Sequence, residues 1–148
     1  KYFQIVEEKF PNESQARDSS FKIVECLYNL KEYSRLKDKI KSYLKIYSKD
    51  TVHLPYLYFY LAEADFYLDN FTESIDGYTK VILNTSDTKM RALSKLGMGW
   101  SYLKLKKYQE SESTFLELKA DSLEKRSLDV LLLGKAILYF ETKRFGEA

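Results

Sequence analysis

The sequence predicts an all-α protein in which pairs of antiparallel helices repeat along the chain. An aromatic residue recurs at Tyr33, Phe71, Tyr108 and Phe145, at spacings of 38, 37 and 37 residues. Each of these residues follows an apolar run with helical periodicity and precedes an amphipathic one. The 148 residues include only 5 Gly and 2 Pro, so helices can run almost unbroken. A period in this range is typical of helical repeat arrays.

The second helix of each pair starts at the recurring aromatic residue. Residues 33–47 show the pattern best, because their apolar residues recur at steps of three and four and form one stripe. The opposite face, from Arg35 to Lys45, is basic, and we interpret it as a solvated outer face. Residues 71–83 and 108–118 repeat the arrangement, and Asn70 with Glu73 resembles a capping box. The stripes consist of Tyr33, Leu36, Ile40, Tyr43, Leu44 and Tyr47, then Phe71, Ile75, Tyr78 and Ile82, then Tyr108, Phe115 and Leu118.

A longer and more apolar helix is predicted before each of these, at 14–29, 54–68, 88–105 and 122–141. Near each start an acidic residue precedes a hydroxyl residue, which suits an N-cap whose oxygen accepts free backbone N–H groups. The spacings of these pairs are 37, 37 and 34 residues, so the fourth of these helices is expected to be three residues longer or shifted in register. The pairs are Glu13-Ser14, Asp50-Thr51, Asp87-Thr88 and Asp121-Ser122.

In this alternation of helix, turn and helix the chain resembles the tetratricopeptide repeat family. The matching residues are Lys95, Met98-Gly99, Tyr102, Ser111 and Phe115 in one unit, and Tyr58, Leu61-Ala62, Asp65, Ser74 and Tyr78 in the unit before it. The resemblance implies a right-handed α-solenoid of stacked antiparallel helix pairs. We expect a single array over 1–148, with full repeats at 14–47, 54–84 and 88–119. Residues 1–10 would be the second helix of a preceding repeat and 122–148 a partial repeat, so the chain is expected to be part of a longer protein.

The period of about 37 residues exceeds the usual 34 of this family by nearly one helical turn. The phrase Phe10-Pro11-Asn12-Glu13-Ser14-Gln15-Ala16 is similar to bacterial cell-envelope members of the family. These include the lipoprotein of the outer-membrane β-barrel assembly machine and the periplasmic partner of the Tol–Pal system. The resemblance implies an interaction scaffold in the periplasm or cell envelope. Two alternatives stay open, a cytosolic adaptor and the interaction domain of a larger enzyme.

Charge and composition argue against several other classes of function. The net charge of +2, from 24 basic and 22 acidic residues, predicts no dominant field for nucleic acid. No apolar run approaches the roughly 20 residues that span a bilayer, so direct membrane insertion is not expected. Cys26 and His53 are the only residues of their types, and no metal-ligand spacing occurs. We therefore predict a protein that is not an enzyme and needs no cofactor or metal.

The resemblance places a partner-binding groove on the concave face, which the first helices line. A protein or peptide is the expected partner, and self-association through the repeat ends is a second expectation. The lining is aromatic and mildly acidic, which argues against the subclass that clamps a carboxylate with Lys and Asn. Alternatively, the same rings pack between repeats. The matching positions are Phe21, Glu25, Tyr28, Tyr56, Phe59, Glu63, Phe66, Tyr67, Leu96, Trp100 and Lys104, with Leu133, Ile137 and Phe140 in the last unit.

Two of the acidic residues, Glu63 and Asp65, lie within an otherwise apolar helix. Because they are two residues apart, they should point to different sides of it. We expect one of them to line the groove and the other to bond to a Tyr or Lys of a neighbouring repeat.

Overall fold

The protein is all-α over the part of the chain that the structure describes, residues 14–119, 123–144 and 146 of a computed structural model. The predicted helix at 1–10, the turn residue Phe145 and the chain end lie outside these residues. Seven helices are described there, and no strand is. They are α1 (Ser14–Asn29), α2 (Tyr33–Ile46), α3 (Leu54–Tyr67), α4 (Phe71–Asn84), α5 (Thr88–Lys104), α6 (Tyr108–Leu116) and α7 (Lys125–Glu141).

The helix boundaries agree closely with the predicted ones. Helices α2, α4 and α6 each begin at the recurring aromatic residue, and Pro55 lies in the first turn of α3, where a missing N–H costs little. The exception is α7, which begins at Lys125 instead of residue 122. Helices α5 and α7 have 17 residues each, so α7 is not the longer helix that its predicted start would have required.

The predicted caps have mixed outcomes. The Asp87 carboxylate accepts from the backbone N–H groups of Lys89 at 2.8 Å and Met90 at 3.2 Å, which confirms that cap. The Asp50 cap is wrong, because α3 begins after His53 and the Asp50 carboxylate binds groups of the preceding loop. The capping box at Asn70 is also wrong, since its side-chain amide donates to Asp65 instead of serving α4. The pairs at 13–14 and 121–122 include residues outside the described part of the chain.

Each helix that precedes a recurring aromatic residue ends in the same tight turn. Lys31, Asp69, Lys106 and Lys143 have φ between 58° and 60°, the left-handed conformation, and each lies two positions before that aromatic residue. The backbone hydrogen bonds are those of a Schellman motif. They join Glu32 to Leu27 (3.0 Å), Asn70 to Asp65 (2.8 Å), Lys107 to Tyr102 (2.9 Å) and Arg144 to Tyr139 (2.8 Å).

The helices pack in chain order, each against the next. The alternate helices also touch, α1 with α3, α3 with α5 and α5 with α7. Small residues permit the close approach. Gly77 lies against Ala62 and Gly99 against Phe115, where an added Cβ would stand 2.8 Å and 2.3 Å from the nearest side-chain atom. Gly97 permits a similar approach of the Tyr78 ring to α5.

None of the helices in the described ranges is long and apolar enough to cross a membrane.

Candidate functional site

A cleft of about 670 Å³ opens where α1, α3, α5 and α7 come together. These four helices are the first helices of successive pairs. Its walls are mostly aromatic and aliphatic, with one carboxylate and two cations. The lining residues are Tyr28, Phe59, Glu63, Phe66, Tyr67, Tyr78, Leu93, Leu96, Gly97, Trp100, Lys104, Arg126, Ser127 and Val130.

Eight of the fourteen predicted groove residues lie together in this cleft. The other six do not line it: Phe21, Glu25, Tyr56, Leu133, Ile137 and Phe140. Phe21 is a core residue, because its ring packs on His53 with a centroid separation of 4.1 Å. The Tyr56 ring lies edge-on to the Phe21 ring, and the Glu25 carboxylate pairs with Lys22 Nζ at 2.6 Å. Of the α1 residues predicted for the groove, only Tyr28 lines the cleft.

The sequence pattern did not place Tyr78 in the cleft, because it belongs to the inward stripe of the second helix α4. Its ring reaches the first-helix face through the space above Gly97. A Cβ at Gly97 would stand 2.3 Å from the Tyr78 Cζ atom and 2.5 Å from its hydroxyl oxygen. Gly97 itself was the signal in the sequence for a side chain approaching α5 there.

Glu63 is the polar centre of the cleft. It accepts hydrogen bonds from the Tyr28 hydroxyl at 3.4 Å and from the Tyr78 hydroxyl. Burial raises the pKa of the Glu63 carboxyl, and the two tyrosine hydroxyls only partly oppose this effect. Burial and the nearby carboxylate raise the pKa of both tyrosines, so their hydroxyls stay protonated and donate to Glu63.

Asp65 faces the other way, as the two-residue spacing predicted. Its carboxylate pairs with Lys37 of α2 and accepts from the Asn70 amide at 3.3 Å. The two acids therefore do not form a carboxylate pair for acid–base chemistry. Glu63 lines the cleft while Asp65 ties α3 to the preceding helix pair, which confirms the expected division between them.

The aromatic residues of the cleft also contact one another and the core. Ring centroids of Tyr28 and Tyr60 are 4.5 Å apart, and those of Phe59 and Tyr78 are 6.0 Å apart. Trp100 lies edge-on to Phe115 at 6.4 Å. Tyr67 is 56% exposed although its ring stacks on Tyr33 at 4.8 Å. The rings therefore hold adjacent helix pairs together and at the same time expose faces to the cleft.

Two cations, Lys104 and Arg126, line the cleft. Lys104 is in the last turn of α5, and Arg126 is the second residue of α7. Gly134 lies beside Trp100, and Ser127 lines the same small pocket as Leu93. Both pairs are 34 residues apart and follow the same order along the two helices, so α5 and α7 run parallel.

A second polar cluster lies away from the cleft, between α2 and α3. The buried Asp50 carboxylate accepts from the Tyr43 hydroxyl and lies 2.7 Å from His53 Nδ1. Burial alone would raise the pKa of Asp50, but the hydrogen bonds from Tyr43 and from His53 outweigh it and lower that pKa to about 2. Within residues 14–119, no hydrogen bond joins His53 to Cys26, which is exposed. This cluster fastens the loop between two helix pairs.

Among the described residues, no group of three or more His, Cys, Asp or Glu is placed to hold a metal ion.

No protein-family model matches the chain, and no curated protein or solved structure is significantly similar to it.

Proposed function

We propose that this chain is a tetratricopeptide-like α-solenoid that binds a segment of a protein partner in its aromatic cleft, without catalysis. The single observation that carries the proposal is the cleft itself. It is formed by first helices of successive pairs and has six aromatic side chains around one carboxylate. Rigid aromatic side chains are the usual anchors of protein interfaces, because they supply large contact area at low entropic cost.

The regularity of the helix pairs supports the solenoid part of the proposal. A Schellman turn with a left-handed residue at the same position ends the first helix of each pair. Each first helix contacts the next one, and α5 and α7 run parallel at an offset of 34 residues. Helix pairs stacked in this way curve and leave an extended concave surface along the first helices.

The setting is proposed from the resemblance to cell-envelope members of the family. The alternatives are a cytosolic adaptor and the interaction module of a larger enzyme. The encoded sequence upstream of residue 1 discriminates among them. A signal peptide with a lipidation cysteine supports the envelope setting, while a catalytic domain encoded in the same gene supports the third.

The binding proposal is tested with peptides selected from a random phage-displayed library on the immobilised chain. Calorimetry then measures the Kd of each selected peptide for wild type and for Phe66→Ala. Removing an anchor of this kind costs about 2 kcal/mol, or roughly thirtyfold in Kd.

Tyr58→Ala is the matched control, because Tyr58 is an aromatic residue of the same helix that faces Lys80 and does not line the cleft. We expect this variant to bind like wild type. The proposal fails if selection yields no peptide of micromolar affinity, or if Phe66→Ala binds the selected peptides as tightly as wild type does.

A further inference from the structure

Glu63 differs from every other carboxylate that is buried or half-buried in residues 14–119 and 123–144. There are six such carboxylates, and five of them pair with a cation of the chain. These pairs are Glu25 with Lys22, Glu32 with Arg35, Asp50 with Arg17, Asp65 with Lys37 and Glu112 with Arg144. Glu63 is the sixth, forms no ion pair among these residues, and is the one of the six that lines the cleft.

The surroundings of Glu63 supply hydrogen bonds but no opposite charge. The Tyr28 and Tyr78 hydroxyls both donate to its oxygens, and both donors favour the ionised carboxylate. A neutral acceptor would serve to join two hydroxyls, whereas a partly buried charge is costly unless a cation lies close to it. A cation that entered the cleft would therefore stabilise the ionised Glu63.

The rings beside Glu63 also favour a cation. Phe59 lies four residues before Glu63 on α3, and Phe66 and Tyr67 lie three and four residues after it, so the carboxylate lies between aromatic rings on one helix face. All four side chains line the cleft. The face of an aromatic ring attracts an ammonium or guanidinium group, and the attraction increases when water is excluded.

Two cations of the chain, Lys104 and Arg126, line the same cleft, but both side chains are exposed. Water and salt screen exposed charges far more than half-buried ones. Neither cation pairs with Glu63, which is left to attract a cation from a ligand.

We infer that the cleft takes a basic side chain, arginine or lysine, of the partner segment, with its charge at Glu63 between the rings of Phe59 and Phe66. This inference rests on the proposed function and specifies its ligand. The carboxylate provides the opposite charge, and the rings contact the aliphatic stem and the cationic group of the same side chain.

The first experiment repeats the selection of random phage-displayed peptides on three immobilised proteins: wild type, Glu63→Gln and Glu25→Gln. Glu25→Gln is the matched control, because it makes the same change of net charge on α1 at a residue that does not line the cleft. We expect arginine or lysine to be enriched on wild type and on the control, but not on Glu63→Gln. The net charge of +2 by itself favours acidic peptides, so it cannot produce this enrichment.

Calorimetry then tests the charge of the selected peptides directly. Citrulline replaces the enriched arginine, or norleucine the enriched lysine, so that the charge is removed and most of the side chain is kept. We expect this replacement to raise the Kd for wild type about tenfold and to leave the Kd for Glu63→Gln nearly unchanged. Circular dichroism checks that both protein variants remain folded.

The two proposals fail in distinguishable ways. If the peptides selected on wild type show no enrichment of basic residues, or bind equally with citrulline or norleucine, the charge inference is overturned; the proposed function stands if Phe66→Ala still weakens them. These two results need no variant of Glu63, so they hold even if Glu63→Gln does not fold. If Glu25→Gln loses the enrichment as fully as Glu63→Gln does, net charge explains it and the inference is overturned. If selection yields no peptide, both proposals fall.

Discussion

Replacing Gly97 with alanine tests how Tyr78 enters the cleft. The added Cβ would stand 2.3 Å from Tyr78 Cζ, well inside contact distance, and the Tyr78 ring is 1% exposed and packs against Phe59. Overpacking of this kind costs about 1–3 kcal/mol. Displacing the ring also strains its hydrogen bond to Glu63, which costs about 1 kcal/mol more.

One effect opposes this cost. Alanine is favoured over glycine within a helix by about 1 kcal/mol. We therefore expect Gly97→Ala to lower the free energy of unfolding by about 2 kcal/mol. The sign of the stability change depends on whether the Tyr78 ring is present, so the decisive comparison is the same substitution in a Tyr78→Ala background. There the ring is gone, and Gly97→Ala should raise the free energy of unfolding by up to about 1 kcal/mol.

Urea denaturation followed by helical circular dichroism measures the four proteins of this cycle. Gly146→Ala is the control for a glycine with open space around it, and it should change the stability little. Equal effects of Gly97→Ala with and without the Tyr78 ring would refute the reasoning, as would a Gly97→Ala protein at least as stable as wild type.

Three further predictions concern a loop, a turn and an ion pair that connect neighbouring helices. Asp50→Asn should cost about 2 kcal/mol at neutral pH, because a carboxyl whose pKa is about 2 in the folded protein and 3.8 without its partners stabilises the folded state when ionised. The stabilisation from the ionised Asp50 is complete above pH 4 and is lost as the pH falls toward 2. The free energies of unfolding of the two proteins, from urea titrations at several pH values, should therefore converge in acid. A constant difference between them would contradict the assignment. Lys106→Gly should raise the free energy of unfolding by about 0.5–1 kcal/mol, since it relieves a left-handed conformation that costs a side chain about 1–2 kcal/mol. The control Lys41→Gly, within α2, should lower the free energy of unfolding by about 1 kcal/mol. Thermal melts in which both variants change the stability with the same sign would count against the turn geometry. A double-mutant cycle between Lys37→Ala and Asp65→Ala should give a coupling of about 1–3 kcal/mol, because Asp65 is buried, and a coupling near zero would show that this ion pair does not fasten α3 to α2.

The sequence allowed the helices to be predicted because the apolar stripes and the recurring aromatic residues are local signals. Helices α2, α4 and α6 begin at Tyr33, Phe71 and Tyr108, as the period indicated. The left-handed residues before them could not be predicted, because lysine and aspartate, rather than glycine, occupy these positions. Their conformation is set by the Schellman hydrogen bonds and by the close packing of the two helices of each pair.

The cleft could be predicted only in part. Helical position predicts which face of α3 and α5 carries Phe59, Glu63 and Trp100, but it does not predict what a neighbouring helix contributes. Tyr78 enters from α4 only because Gly97 leaves space, and Phe21 is excluded because the His53 ring covers it. Both outcomes depend on tertiary contacts between residues that are far apart in the sequence.

The central claim is that a partner segment binds in the cleft beside Trp100, and nuclear magnetic resonance tests it most directly. The single tryptophan gives one indole N–H resonance in a ¹⁵N-labelled chain. We predict that a peptide selected on the immobilised chain shifts this resonance saturably, with the Kd found by calorimetry, and that a spin label on the peptide broadens it. A peptide that binds by calorimetry but leaves the indole resonance unshifted and sharp would contradict the claim.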